Sequence, residues 1–290
     1  MGDGPQVRAQ LRRTIRDFLS TRRAAVTPEQ AGLPPIRGHR RVKGLRREEV
    51  AALAGISVEY YIRLERGDAR GVSETVLENI GRALRLDEPE RAHLRALLQS
   101  AGGVRPCRLI TAAPVLRPPV QRIVDSMTGT AAMVIDGRWD LVGANTLGRA
   151  LHRPARFVFL DPAARTYWPD WDEVADDYVN GLRAESGRNP CDRGLTALAE
   201  ALCAGSAEFR ARWERHDVHV RTSGVRRFHH PLVGALELPF ESTPLASDPG
   251  QTLIMFSAEP GSPSEDAMVL LELSGGAPSG TSGWPARSRR

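Results

Sequence analysis

Apolar residues recur at three- and four-residue spacing through the first third of the chain, and that period predicts helices. Leu11, Ile15, Phe18 and Leu19 share one face of a predicted helix over 7–25. A connector rich in Pro, Gly and Arg follows over 27–43. Val50, Leu53 and Ala54 then mark a short helix, and Tyr61 and Leu64 the inner face of a second. Ser73 is placed to cap a fourth helix with Val76, Leu77, Ile80 and Leu84 inward, and Asp87 to start a fifth with Leu94, Leu97 and Leu98 inward. Past a Pro/Gly-punctuated stretch at 101–119 the pattern changes. Runs at 132–136 and 138–144 flank Gly137 as a hairpin would, and 218–222, 225–230, 235–241 and 252–258 read as strands. Leu236, Leu238 and Phe240 alternate with Glu237, Pro239 and Glu241, which marks one buried face. Helices are predicted at 120–127, 146–152, 171–185, 192–204, 207–215 and 265–273.

Two domains follow from this pattern: an all-α domain over 1–102, a linker over 103–119, and an α+β domain over 120–274 built on a small antiparallel sheet. The tail at 275–290 reads as disordered.

The most specific local signal spans Arg46 to Gly67. Gly55 can adopt the positive φ that ends a first helix, and Ser57 can cap the next. Ala51 is small where the two helices cross. Glu59, Tyr60, Ile62, Arg63 and Arg66 fall on the outer face of the second helix. A Tyr and an Ile exposed among charges suit a helix laid in the major groove of duplex DNA, the partner this hairpin predicts. By that geometry Val58, Glu59, Ile62 and Arg63 face base edges, with Ser57 and Tyr60 near phosphate. Arg63 suits guanine O6/N7, Glu59 a cytosine amino group, and Val58 or Ile62 a thymine methyl. Glu65, near the buried end of the second helix, is read as structural, with Arg23 as its partner.

Charge agrees with this placement. Residues 1–102 hold 19 Arg/Lys against 13 Asp/Glu, whereas the remainder holds 21 against 22. Arg37, Arg40, Arg41, Lys43, Arg46 and Arg47 put six bases in eleven residues with no acid, directly before or within the hairpin. Such a run sets affinity through phosphate contacts and counterion release. Cys107, Cys191 and Cys203 form no CxxC and read as buried or incidental thiols. No apolar run approaches a membrane span, and the N-terminal residues carry no signal-peptide core, so a cytoplasmic, nucleoid-associated protein is expected.

The chain resembles the actinobacterial XRE-type regulators that carry an MmyB-like ligand-binding domain. The resemblance rests on GLRREEVAALAGISVEYYIRLERG (44–67), RALRLDEPERAHL (82–94), FLDPAARTYWPDW (159–171), SAEFRARWERHDV (206–218), RRFHHPLVGALEL (226–238) and DPGQTLIMFSAEPGSPSEDA (248–267). It implies a Cro/C1-type DNA-binding domain and a PAS-like sensor for a fatty acid or a similar small apolar ligand. Two departures stand out. Val142-Gly143-Ala144 precede Asn145 where the family commonly has an aromatic, and the segment from Asn145 to Phe157 is shorter than usual.

A pocket in the second domain would be apolar. Trp139, Leu141, Phe228, Leu238, Phe240 and Met255 fall on predicted inward faces, with Asn145, His219 or His230 as polar anchors. A homodimer is expected, because one such hairpin reads few base pairs. No cofactor is called for. The alternative is a metal-dependent enzyme: His216, Asp217, His219, His229 and His230 contain the residue types of a 2-His-1-carboxylate iron site. Against it, His216 and Asp217 are consecutive and would point oppositely on a strand. No nucleophile elbow, phosphate loop or Cys-His pair is present.

Overall fold

The computed structural model describes residues 4–34, 42, 44–102, 114–218 and 221–275. In chain order these form α1 (Gly4–Ala25), α2 (Arg47–Ala54), α3 (Val58–Glu65), α4 (Glu74–Ala83), α5 (Glu88–Ala101) and α6 (Pro118–Asp125). Two strands follow, β1 (Thr130–Ile135) and β2 (Leu141–Ala144). The next helices are α7 (Thr146–Leu151), α8 (Ala155–Leu160), α9 (Ala164–Tyr167), α10 (Trp171–Arg188), α11 (Arg193–Gly205) and α12 (Ala207–Glu214). The chain continues through β3 (Ser223–His230), β4 (Gly234–Pro244) and β5 (Thr252–Ser257) to α13 (Pro263–Leu273). Contacts divide it into two compact units, Met1–Thr111 with Val179–Val220, and Ala112–Tyr178 with Arg221–Arg290.

The first unit is helical and grows from the caps that the sequence advertises. Gly55 ends α2 at φ 67°. The Ser57 hydroxyl accepts the Tyr60 amide at 3.1 Å, and the Ser73 hydroxyl the Val76 amide at 3.3 Å. Asp87 and Glu90 exchange bonds at 2.9 and 3.0 Å to open α5. Ile15, Phe18, Leu19, Val50, Ala51, Tyr61, Leu64, Ile80, Leu94 and Leu97 form one buried core, which Ala184 and Val218 complete from far along the chain. Leu53, expected inward, is 37% exposed and stays outside it.

A polar seam accompanies that core. Arg22 of α1 pairs with Glu90 at 2.8 Å and Asp217 at 2.9 Å, and donates to the His216 carbonyl at 2.6 Å. Arg183 of α10 lies 3.8 Å over the Trp213 ring and donates to the Trp213 carbonyl and to His216 Nδ1, the latter at 3.1 Å. His93 of α5 meets the Phe18 ring edge-on at 5.2 Å, and neither ring nitrogen has a hydrogen-bond partner among the described residues. Cys191 is disulfide-bonded, against the expectation of incidental thiols, and Cys203 is free.

The second unit is built on an antiparallel sheet of order β2-β1-β5-β4-β3. Ala132, Val134 and Leu253 pack with Leu116 and with Val124 of α6. The register places Ala131 opposite Phe256, Phe256 opposite Phe240, and Phe228 opposite Leu236, so these residues share the other face. On β4 the predicted alternation holds, with Leu236, Leu238 and Phe240 buried.

Several local expectations need correction. No described residue of 218–222 is in a strand. The second hairpin strand begins only at Leu141, because Asp136 accepts the Arg138 and Asp140 amides at 2.8 and 3.0 Å and makes 136–140 a turn. Trp139 sits in that turn at φ 64°, and Leu141 is exposed. The sequence pattern did not predict α8 and α9, since six and four residues are too few to register a helical period.

The two seam histidines tie stability to pH. Burial first, and the Arg183 charge second, lower His93 to about 3 and His216 to about 4. The unfolded chain therefore takes up protons near pH 6.5 that the folded one refuses, so stability is full above that value and falls as pH drops toward the folded values. Each lagging group costs about 1.4 kcal/mol per pH unit across that window. Urea unfolding between pH 7 and pH 4 should show His93→Leu losing stability less steeply than the unsubstituted chain.

Candidate DNA-reading face and sensor site

The reading face rests on a buried ion cluster. Glu65, at the end of α3, is 2% exposed and is held by Arg23 of α1 at 3.0 Å and by Arg47 of α2. Arg23 also donates to the Leu45 carbonyl at 3.0 Å, so one guanidinium fixes both the hairpin and the chain entering it. The expected Glu65–Arg23 pair is thus present. Tyr61 packs beside it, and burial followed by the Glu65 charge pushes its phenol up. Arg47, expected to contact DNA, has its Nε committed to Glu65, although its side chain is half exposed. Arg46 gives its amide to Glu49 at 2.6 Å and pairs loosely with Glu48 at 3.4 Å.

With α3 so fixed, Glu59 and Arg63 are exposed and Tyr60 and Ile62 half-buried on its outer side, beside the exposed cap Ser57, whereas Val58, expected at base edges, packs against the core. Arg63 lies 5.1 Å over the Tyr60 ring and 3.9 Å from Asp68. The local alternative, an Arg63–Glu59 pair, is not formed. Asp68 is held down to about 2 by hydrogen bonds from Arg70. Arg40, Arg41 and Lys43 lie outside the described residues, as do His219, Arg37 and Cys107.

Of the sheet residues expected near ligand, Phe228 and Phe240 converge, whereas Met255 packs on the α6 side with Ala132 and Val134. Phe256 brings Phe228 and Phe240 together, with ring centroids at 5.5 and 5.7 Å. Tyr167 meets Phe228 at 5.8 Å and His230 at 6.1 Å, and burial pushes its phenol up to about 12. Leu238 lies buried opposite Arg226, which pairs with Asp177 at 2.5 Å. Trp139 reaches the same belt by another path, stacked on Tyr178 at 4.1 Å, with Tyr178 beside Trp168. His230 is buried. Its Nδ1 accepts the Leu232 amide at 3.3 Å, which leaves Nε2 to face the Ala150 carbonyl, without a well-aligned hydrogen bond among the described residues. Burial first, then Arg153, lowers its pKa. Arg153 itself lies 4.3 Å over Tyr167.

Asn145 does different work from that expected. Its Oδ1 accepts the Ala132 and Gly148 amides at 3.1 and 2.8 Å, and its Nδ2 donates to the Met127 and Thr130 carbonyls at 3.0 and 2.7 Å. Both side-chain groups are spent on backbone, so it caps α7 and pins it to β1 rather than standing free as a polar anchor. Sequence reasoning missed Tyr167, Trp168, Tyr178 and Phe256. The consecutive Tyr167-Trp168 within an otherwise unpatterned stretch was the available signal.

Of the residues named for the enzyme alternative, His219 lies outside the described residues. Among the described residues no three His, Cys, Asp or Glu side chains gather as a metal site. Nor is any described helix long and apolar enough to cross a membrane.

A capped hairpin with an open outer face, followed by an antiparallel sheet lined with aromatics, defines a two-domain regulator of the helix-turn-helix class. Residues 15–94 match the helix-turn-helix domain family, and residues 116–271 match the MmyB-like transcription regulator ligand binding domain. The second match spans more than half of the chain, which therefore belongs to the MmyB-like transcription regulators: a DNA-binding domain joined to a ligand-sensing one. A search of curated proteins finds no match.

Two substitutions test these supports. Glu65→Ala leaves two guanidinium groups facing a void and should cost about 3–5 kcal/mol of stability. Asn145→Ala strips partners from four backbone groups and should cost about 2–3 kcal/mol. Urea midpoints read both effects, and a loss below 1 kcal/mol, roughly that of an exposed pair, would reject either role.

Proposed function

We propose that the chain is a sequence-specific DNA-binding transcription regulator acting as a homodimer, whose PAS-like second domain senses a small apolar ligand such as a fatty acid. The observation that carries the DNA half is the fixed α3, its outer face open while its inner end is clasped at Glu65. Glu59, Ile62 and Arg63 read base edges, and Ser57 and Tyr60 approach phosphate. Arg63 leaves the Tyr60 ring and Asp68 to engage a guanine. Arg46, with Arg40, Arg41 and Lys43, supplies phosphate contacts, and Arg47 contributes only the N–H groups that Glu65 leaves over.

The five-stranded sheet and its aromatic face support the sensor half. Trp139, Phe228, Leu238 and Phe240 line the apolar site, and His230, buried beside Tyr167 with Nε2 only poorly aligned on the Ala150 carbonyl, offers a donor to a polar end. Ligand shifts the DNA-bound fraction only as far as its affinities for the competent and incompetent states differ.

Selection from a randomised duplex pool with the full chain should enrich a two-fold site with half-sites about 34 Å apart. On that site Arg63→Ala should lose about 1–3 kcal/mol of discrimination at a single base pair, while Arg46→Ala weakens all sequences alike. An unenriched pool rejects the reading. For the sensor, native mass spectrometry should reveal a copurifying small apolar molecule. If the spectrum shows bare chain and a long-chain fatty acid does not raise Tm, the ligand assignment falls.

A further inference from the structure

Beside the outer face of α3 lies an open cleft of about 600 Å³, lined by Arg12, Glu59, Ile62, Arg63, Arg66 and Asp68. Five of these residues belong to α3 or its immediate C-terminal extension. Arg12 comes from α1, and it precedes the segment that matches the helix-turn-helix family, residues 15–94. Its position is fixed by backbone. Gly67 adopts φ 85°, and a Cβ there would stand 2.7 Å from Arg12 Cα and 2.8 Å from its Cβ. The bare glycine thus lets α1 come down against the end of the reading helix.

The charges of the cleft do not balance. Asp68 is spent on Arg70, at 2.9 Å, and on Arg63. Arg12 and Arg66 are exposed and make no ion pair among the described residues. One turn before Arg12, Arg8 is also exposed on the same side of α1. The start of a reading helix meets base edges, so cations beside its last turn meet the wall of the groove, which is phosphate.

We infer that Arg12, with Arg66, clamps a DNA phosphate at the C-terminal end of α3, so that α1 forms a second, sequence-independent contact with the duplex. The inference rests on the DNA-binding reading above. Full-length Arg12→Gln is titrated by fluorescence anisotropy against a pool-selected duplex and against a scrambled duplex of equal length, over a series of salt concentrations. Affinity should fall by about threefold to tenfold on both duplexes, and the log–log salt slope should shrink by about 0.9, the value of one phosphate. Arg12→Lys, which keeps the charge, should retain most of the slope. An unchanged affinity and slope for Arg12→Gln overturns the clamp while leaving the hairpin's role intact. A loss confined to the selected duplex also overturns it, since that marks a base contact. If the unsubstituted chain binds neither duplex, the underlying reading fails first and the clamp with it. Because Arg12 is exposed, the variant should melt as the parent does, and a matched Tm ties the result to binding.

Discussion

Glu65 sits on α3 almost wholly out of water, between Arg23 of α1 and Arg47 of α2. A carboxylate in that position, left alone, would cost several kcal/mol, roughly the penalty found for unpaired buried ions. Three helices therefore have to arrive together for any of them to be well placed. The net contribution to stability is small, because desolvation offsets most of the attraction. The gain is in geometry: the outer face of α3 points where it does because its inner end has only one electrostatically tolerable position. Arg23 extends the same constraint to the Leu45 carbonyl, and so to the start of the hairpin.

In the second unit a neutral group plays the comparable part. Asn145 supplies two acceptor bonds and two donor bonds to backbone, and every partner lies between Met127 and Gly148. The strand so joined, β1, lies one in from the β2 edge of the sheet, and α7 packs on it. The aromatic belt then packs against a scaffold whose register is already set. Tyr167 lies between Phe228 and His230, so the face expected to meet ligand is continuous from sheet to helix.

Much of this could be read from the chain alone, and the reasons differ by element. The hairpin was legible because its signals are local: Gly55 for the turn, Ser57 for the cap, Ala51 for the crossing. The Leu236-Leu238-Phe240 alternation fixed the buried face of β4 for the same reason. What escaped depends on distance or brevity. Leu53 has the right spacing but no neighbour to cover it, and Asn145 has the right chemistry for a ligand anchor but closer partners. The helices α8 and α9 are shorter than the window in which a period can be recognised. Arg47 shows the limit most plainly, since a basic residue at the start of a reading hairpin looks the same in sequence whether it meets phosphate or a buried glutamate.

The seam that closes the first unit joins residues synthesised far apart: Arg22 and Asp217 are separated by 195 positions. At ribosomal speeds the stretch that covers His93 and receives Arg22 follows the first five helices by roughly ten seconds. During that interval the nascent helical bundle carries an unsealed flank, with an apolar ring environment around His93 and a guanidinium lacking its carboxylate. Closure of this half is therefore a late, long-loop event despite its short helices.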